Sequence, residues 1–187
     1  ITVTQVNQAP SFTKGPDQSV LENSGPATVN PWATAISPGP ASESSQTVAF
    51  QITGNTNAAL FSAGPAVSPA GVLTFTPAAN AFGVATITLN LKDSGGTANG
   101  GVDTSAPQTF TITLTQVNQA PSFTKGPNQT VPEDSGAQTV SPWATAISPG
   151  PASESGQTVV FNITGNTNPS LFAAGPAVSP TGVLTYT

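Results

Sequence analysis

Cysteine, histidine, methionine and arginine are all absent from the 187 residues of this chain. Without cysteine there is no disulfide, no thiol nucleophile and no thiolate metal ligand. Without histidine, Ser-His-Asp chemistry and the usual zinc sites are excluded. The lack of both sulfur-containing residues removes the side chains most open to oxidation. Lys14, Lys92 and Lys125 are the only points at which trypsin can cut. Such a chain suits a long-lived material outside the cell.

Charge is equally scarce. Charged residues make up 6% of the chain, against about a quarter in ordinary soluble domains. The net charge of -5 and the three isolated lysines exclude a nucleic-acid surface, which needs clustered cations. The same poverty of cations argues against an electrostatic membrane anchor, and no apolar run approaches the roughly 20 residues needed to span a bilayer. Solubility must rest on Thr, Ser, Asn and Gln, and β-branched Thr fits an exposed pleated strand.

What is present is a repeat. Val6-Asn7-Gln8-Ala9-Pro10-Ser11-Phe12-Thr13-Lys14-Gly15-Pro16 returns 111 residues later as Val117 to Pro127, and Trp32 returns as Trp143. Residues 1–76 and 112–187 share 60 identities in 76 positions, which is tandem duplication. The phase divides the chain into residues 1–7, the expected last strand of a preceding repeat; residues 8–118, a complete repeat; and residues 119–187, about two-thirds of a second. The second copy is thus truncated, with no counterpart of Pro77 to Asn118. On this reading the chain is a window on a longer array, whose export signal would lie upstream.

Within the repeat, apolar and polar residues alternate. Ala85, Ile87, Leu89 and Leu91 alternate with Thr86, Thr88, Asn90 and Lys92, and Phe110, Ile112 and Leu114 with Thr111, Thr113 and Thr115. That is the two-residue period of strands. No convincing helical period appears, and 19 Pro and 18 Gly punctuate the chain. The pattern predicts an all-β fold with about seven strands per unit, near residues 11–14, 18–22, 27–36, 47–53, 66–75, 83–92 and 108–117. Seven short antiparallel strands in this length point to tandem two-sheet β-sandwiches. The expected core is Trp32, Ile36, Phe50, Ile52, Phe61, Leu73, Phe75, Ile87, Leu89, Phe110 and Ile112. One Trp per unit, in a partly apolar strand, reads as core rather than as a sugar platform.

The order of these features resembles the cadherin-like repeats of large bacterial surface proteins. Val117-Asn118-Gln119-Ala120-Pro121-Ser122-Phe123 is similar to that family's interdomain linker. Val131-Pro132-Glu133-Asp134 is similar to the segment after its first strand, and Leu91-Lys92-Asp93-Ser94-Gly95 to a strand end. An immunoglobulin-like sandwich would share the architecture without the linker. The resemblance implies a cell-surface or secreted adhesin-type array and calcium between neighbouring domains. The oxygen donors carried over are Glu22, Asp93, Asn118 and Gln119. Asn118 stands where the family's linker has an acid, and Ser37-Pro38-Gly39 where it has an Asp-x-Asp pair.

No residues form a catalytic set. The eight acids are placed in turns or at strand ends, and Glu43 and Glu154 read as exposed acidic loop tips in a Pro-Gly-Pro-Ala-Ser-Glu-Ser loop. Lys14 and Lys125 read as charges that guard an edge strand against sheet-to-sheet pairing; a cross-link to Asn7 or Asn118 is the alternative. Asn128-Gln129-Thr130 and Asn162-Ile163-Thr164 match the glycosylation sequon. The expected role is a structural or adhesive repeat acting as a spacer. Its partners are neighbouring repeats or, by strand exchange, like chains in a filament, with no cofactor beyond calcium. The alternative is a carbohydrate- or protein-binding module, which could be accessory to an enzyme outside this window.

Overall fold

The computed structural model describes every residue from Ile1 to Thr187. The fold is all-β: its only helical segments are single 3-10 turns, and no helix is long and apolar enough to cross a membrane. The chain divides into two compact units, Ile1–Val117 and Asn118–Thr187.

Unit 1 contains β1 (Ser11–Thr13), β2 (Gln18–Leu21), β3 (Ala27–Val29), β4 (Thr34–Ser37), β5 (Val48–Asn55), β6 (Phe61–Val67), β7 (Leu73–Pro77), β8 (Gly83–Asp93) and β9 (Gln108–Thr115). They form a four-stranded sheet in the order β2-β9-β8-β5, a three-stranded sheet β3-β7-β6, and the pair β1-β4. Alternation along β8 turns Ala85, Ile87, Leu89 and Leu91 inward, all at 0% exposure. One apolar cluster draws on both larger sheets and on β1, and all eleven expected core residues belong to it or pack against it. Burying each large side chain stabilises the unit by about 1.5–3 kcal/mol.

Nine strands replace the expected seven, for local reasons. The stretch 27–36 breaks at Pro31, a residue without a backbone N–H. β3 pairs with β7 and β4 with β1, so the chain changes sheet across Trp32. The stretch 66–75 breaks at a Ser68–Gly71 turn closed by Gly71 N–H to the Ser68 carbonyl at 2.8 Å. Gly71 sits at φ +81°, where a side chain would also strike the Ala33 carbonyl. The pairing is not wholly antiparallel either. β2 runs parallel to β9, Gln18 facing Ile112 and Leu21 facing Thr115. The chain leaves β1 through Gly15-Pro16, and a Cβ at Gly15 would strike the backbone and indole of Trp32. Trp32 is 2% exposed, donates from Nε1 to the Pro16 carbonyl at 2.9 Å, and packs 4.4 Å from the Phe110 ring. It is a core residue.

Unit 2 keeps β10 (Ser122–Thr124), β11 (Gln138–Val140), β12 (Thr145–Ser148), β13 (Ala177–Val178) and β14 (Leu184–Tyr186). The pair β10-β12 and the sheet β11-β14-β13 repeat β1-β4 and β3-β7-β6. The counterparts of β2 and β5, residues 129–132 and 159–166, are not strands. In unit 1, β2 pairs only with β9 and β5 only with β8. Near-identical residues thus hold strand geometry where a ladder partner exists and lose it where there is none.

Candidate linker-binding site

The loop after β4 begins with Ser37, whose hydroxyl donates to the Gly39 carbonyl and accepts from the Gly39 N–H. A 3-10 turn over Ala41–Glu43 follows, with Glu43 N–H on the Pro40 carbonyl and Gln46 N–H on the Glu43 carbonyl. This tight geometry turns Glu43 inward, to 1% exposure, rather than out to solvent as expected for a loop tip. A Cβ at Gly39 would strike its carboxylate, so glycine leaves the space that the acid fills.

Glu43 holds the segment entering the unit. Gln8 N–H donates to its two carboxylate oxygens at 3.1 and 3.4 Å, and Gln5 Nε2 lies 3.4 Å from Oε1. Asn7 is fixed beside it. Its Nδ2 donates to Asp93 Oδ1 and to the Val102 carbonyl, both at 2.9 Å, and its Oδ1 accepts from Gln46 Nε2 at 2.7 Å. Its carbonyl accepts from Val102 N–H at 3.0 Å. A side chain at Gly95 would strike Asn7 and Gln46. Asp93, at the end of β8, is 5% exposed and also accepts from Gly95 N–H at 2.8 Å. Nearby, Asp103 is held below the ordinary carboxylate range, first by the Thr104 hydroxyl and then by Lys92, whose Nζ lies 3.3 Å away.

The second copy repeats the arrangement. Glu154 is 1% exposed and accepts from Gln119 N–H at 2.9 Å, and Gln157 Nε2 donates to Asn118 Oδ1 at 2.8 Å. At the other end of unit 1, Glu22 is 3% exposed. Its N–H donates to the Thr115 carbonyl at 2.9 Å and its Oε1 accepts from Val117 N–H at 2.9 Å. Charge-assisted bonds of this kind are about twice as strong as neutral ones.

No protein-family model, curated protein or solved structure matches this chain.

The four residues carried over as calcium ligands are not brought to one place. Thr115, the bonding partner of Glu22, follows Leu114, which faces Gly83 at the start of β8; Asp93 is at the other end of that strand. Ten residues of strand separate the two acids by roughly 33 Å. Asn118 and Gln119 belong to unit 2, where Asn118 Oδ1 is taken by Gln157. Asn7 presents its N–H, not its oxygen, to Asp93. No group of three or more acids assembles, whereas calcium takes six to eight oxygens. The set does not fit one ion within a unit, although one oxygen each of Glu22, Asp93 and Glu154 is buried without a protein partner. Glu22 and Asp93 are structural acceptors for backbone N–H groups rather than solvated loop acids. Lys125 Nζ lies 3.4 Å from Asn128 Oδ1, and the Asn7 amide is engaged by Asp93, Val102 and Gln46, not by Lys14.

Sequence reasoning passed over Glu43 and Glu154. The signal available was a Pro-Gly-Pro-Ala-Ser-Glu loop copied without change in both units, with glycine four residues before the acid.

Proposed function

We propose that the chain is part of a structural, non-catalytic array outside the cell. Each repeat would be a two-sheet β-sandwich of the cadherin-like or immunoglobulin-like kind, serving as a rod-like spacer. One core shared by the β2-β9-β8-β5 and β3-β7-β6 sheets supports the sandwich reading. The observation that carries the spacer role is at the linker. Val117 N–H is held by Glu22, and Gln119 N–H by Glu154. Only Asn118 lies between them, and its side chain is held by Gln157. Each tie is made within its own unit and fixes the backbone on its side of Asn118. The ring of Pro121 fixes a further φ in the same stretch.

The same bonds leave the buried acids little room for catalysis, since each already serves a backbone N–H. The sulfur-free, charge-poor composition supports an extracellular setting. The spacer role is tested by spin labels at the exposed Thr53 and Thr145 in a Thr53→Cys/Thr145→Cys chain. A narrow distance distribution is expected, broadening when Glu22 and Glu154 are both changed to Ala. A broad distribution with both acids intact would sink the spacer reading.

A further inference from the structure

The loop that follows β8 contains the chain's one Asn-Gly step, Asn99-Gly100. A single 3-10 turn covers Ala98–Gly100, with Gly101 N–H on the Ala98 carbonyl at 3.0 Å. Inside it Asn99 departs from helical geometry, at φ 57° and ψ 29°. Asn adopts that left-handed conformation more readily than most residues. Thr97 to Gly100 are exposed, and a Cβ at Gly96 or Gly100 would meet nothing within 4 Å.

Two other asparagines share this backbone conformation, Asn23 at φ 59° and Asn80 at φ 57°. Those two hold each other. Asn23 Nδ2 donates to Asn80 Oδ1 at 3.1 Å, and Asn23 Oδ1 accepts from Asn80 N–H at 2.9 Å. Ser24 and Ala81 follow them, and each carries a Cβ that crowds its own backbone nitrogen. The Asn99 carboxamide has no partner in the chain, and the residue after it is glycine.

We propose that Asn99-Gly100 is a self-modifying site, and that the isoaspartate formed there loosens the hold on Asn7. The Gly100 nitrogen gives up its proton and attacks Asn99 Cγ. The new N–C bond closes a succinimide ring, and the side-chain nitrogen leaves as ammonia. Water then opens the ring. Attack at Cγ gives aspartate, and attack at the main-chain carbon gives isoaspartate, whose backbone runs through Cβ and Cγ. Nothing is oxidised or reduced, and either product carries a negative charge that asparagine lacks.

Ring closure needs ψ of Asn99 to leave 29°. One 3-10 turn is a weak restraint, and Gly96, Gly100 and Gly101 let the loop swing. The consequence falls on Val102, whose N–H donates to the Asn7 carbonyl at 3.0 Å and whose carbonyl accepts from Asn7 Nδ2 at 2.9 Å. Isoaspartate adds a carbon to the main chain just before these bonds. A Cβ at Gly101 would lie 3.0 Å from that of Asn7, so the longer loop has little slack to absorb it. In a chain without cysteine or methionine to oxidise, this is the ageing chemistry that remains open.

Trypsin cuts after Lys92 and Lys125, which puts Asn99 in the peptide 93–125 and both Asn23 and Asn80 in the peptide 15–92. The full chain is held in warm, mildly alkaline buffer and digested at intervals. The mass gain of one amide-to-acid conversion should appear first in 93–125. Fragmentation should place it at Asn99, and an isoaspartate methyltransferase should label it. Gly100→Ala should nearly abolish the conversion. The proposal is overturned if 15–92 converts as fast, or if Gly100→Ala converts at the original rate. Amide exchange at Val102 then reads the effect on Asn7, with Asn99→Asp as the control that adds the charge without the extra backbone carbon. Faster exchange is expected in the isoaspartyl chain alone. Equal exchange in the two chains would sink the link to Asn7. These readouts are masses and amide exchange within unit 1, so they stand or fall apart from the spin-label distances that test the spacer role.

Discussion

The backbone N–H of Gln119 donates to the buried carboxylate of Glu154 at 2.9 Å, repeating at unit 2 the bond that Gln8 makes to Glu43 at unit 1. A buried charge is costly unless its hydrogen bonds are made. These acids are therefore tied to the linker as firmly as the linker is tied to them. Glu154→Ala should leave Gln119 N–H without its acceptor, at about 1–3 kcal/mol. Amide hydrogen exchange at Gln119 should speed up by an equivalent factor, with exchange in β7 and β8 unchanged. Unaltered protection of Gln119 would mean that the bond does not hold the linker.

Glycine opposite the acid is required by space. Gly39→Ala should push Glu43 out of its position and destabilise unit 1 by at least as much as Glu43→Ala, because the new Cβ meets the carboxylate. Gly156→Ser is the contrasting case. Nothing lies within 4 Å of a Cβ there, and the first copy already carries Ser45 at that position. A change within about 0.5 kcal/mol is expected, by urea unfolding of each variant.

The two copies supply an internal control on packing. Leu60→Ala should cost about 2–5 kcal/mol, since that side chain is 4% exposed in the core. Leu171→Ala, at the same repeat position and 71% exposed, should cost less than about 0.5 kcal/mol. Equal costs in a denaturant titration would mean that the face of unit 2 is covered in solution.

Acid should weaken unit 1 in a defined window. Asp17 is held below its ordinary 3.8 chiefly by the Thr111 N–H, and Asp103 below 3.8 chiefly by the Thr104 hydroxyl. Both groups bind protons less readily folded than unfolded. Their stabilisation is complete above the unfolded value and is lost as pH falls through the lower folded values. The urea midpoint of unit 1 should have little dependence on these groups from about pH 7 to about pH 5 and should fall below pH 3.8. An Asp17→Asn/Asp103→Asn chain should show a shallower fall. Asp17 is exposed and Asp103 is only partly covered, so the effect is small.

Calcium should not be needed for the linker's order. Glu22 and Asp93 are at opposite ends of unit 1, and the linker is held by backbone bonds to carboxylates. Removing calcium with a chelator should leave the spin-label distance distribution unchanged. Broadening on chelation, reversed by millimolar calcium, would restore the cation to the junction.

Much of the fold is legible along the chain because strand periodicity is a local property. The alternation through 83–92 and 108–117 places Ile87, Leu89, Phe110 and Ile112 in the core, where they are found. The breaks at Pro31 and at Ser68–Gly71 are less legible, because they depend on which sheet each half joins. The linker-holding role of Glu43 is the least legible, since a turn-rich sequence gives an acid no sign of facing inward.

The sequence by itself determined the duplication, the strand-forming period and the absence of sulfur, imidazole and clustered charge. These follow from the order and kind of residues and need no long-range contact. Only the tertiary structure decided that Glu22, Glu43, Asp93 and Glu154 are buried acceptors. It also decided that β2 runs parallel to β9, and that residues 18–21 and 48–55 are strands while their counterparts 129–132 and 159–166 are not. Those outcomes depend on partners distant in the chain, because a ladder bond or a buried charge is stable only when the group that completes it is in place.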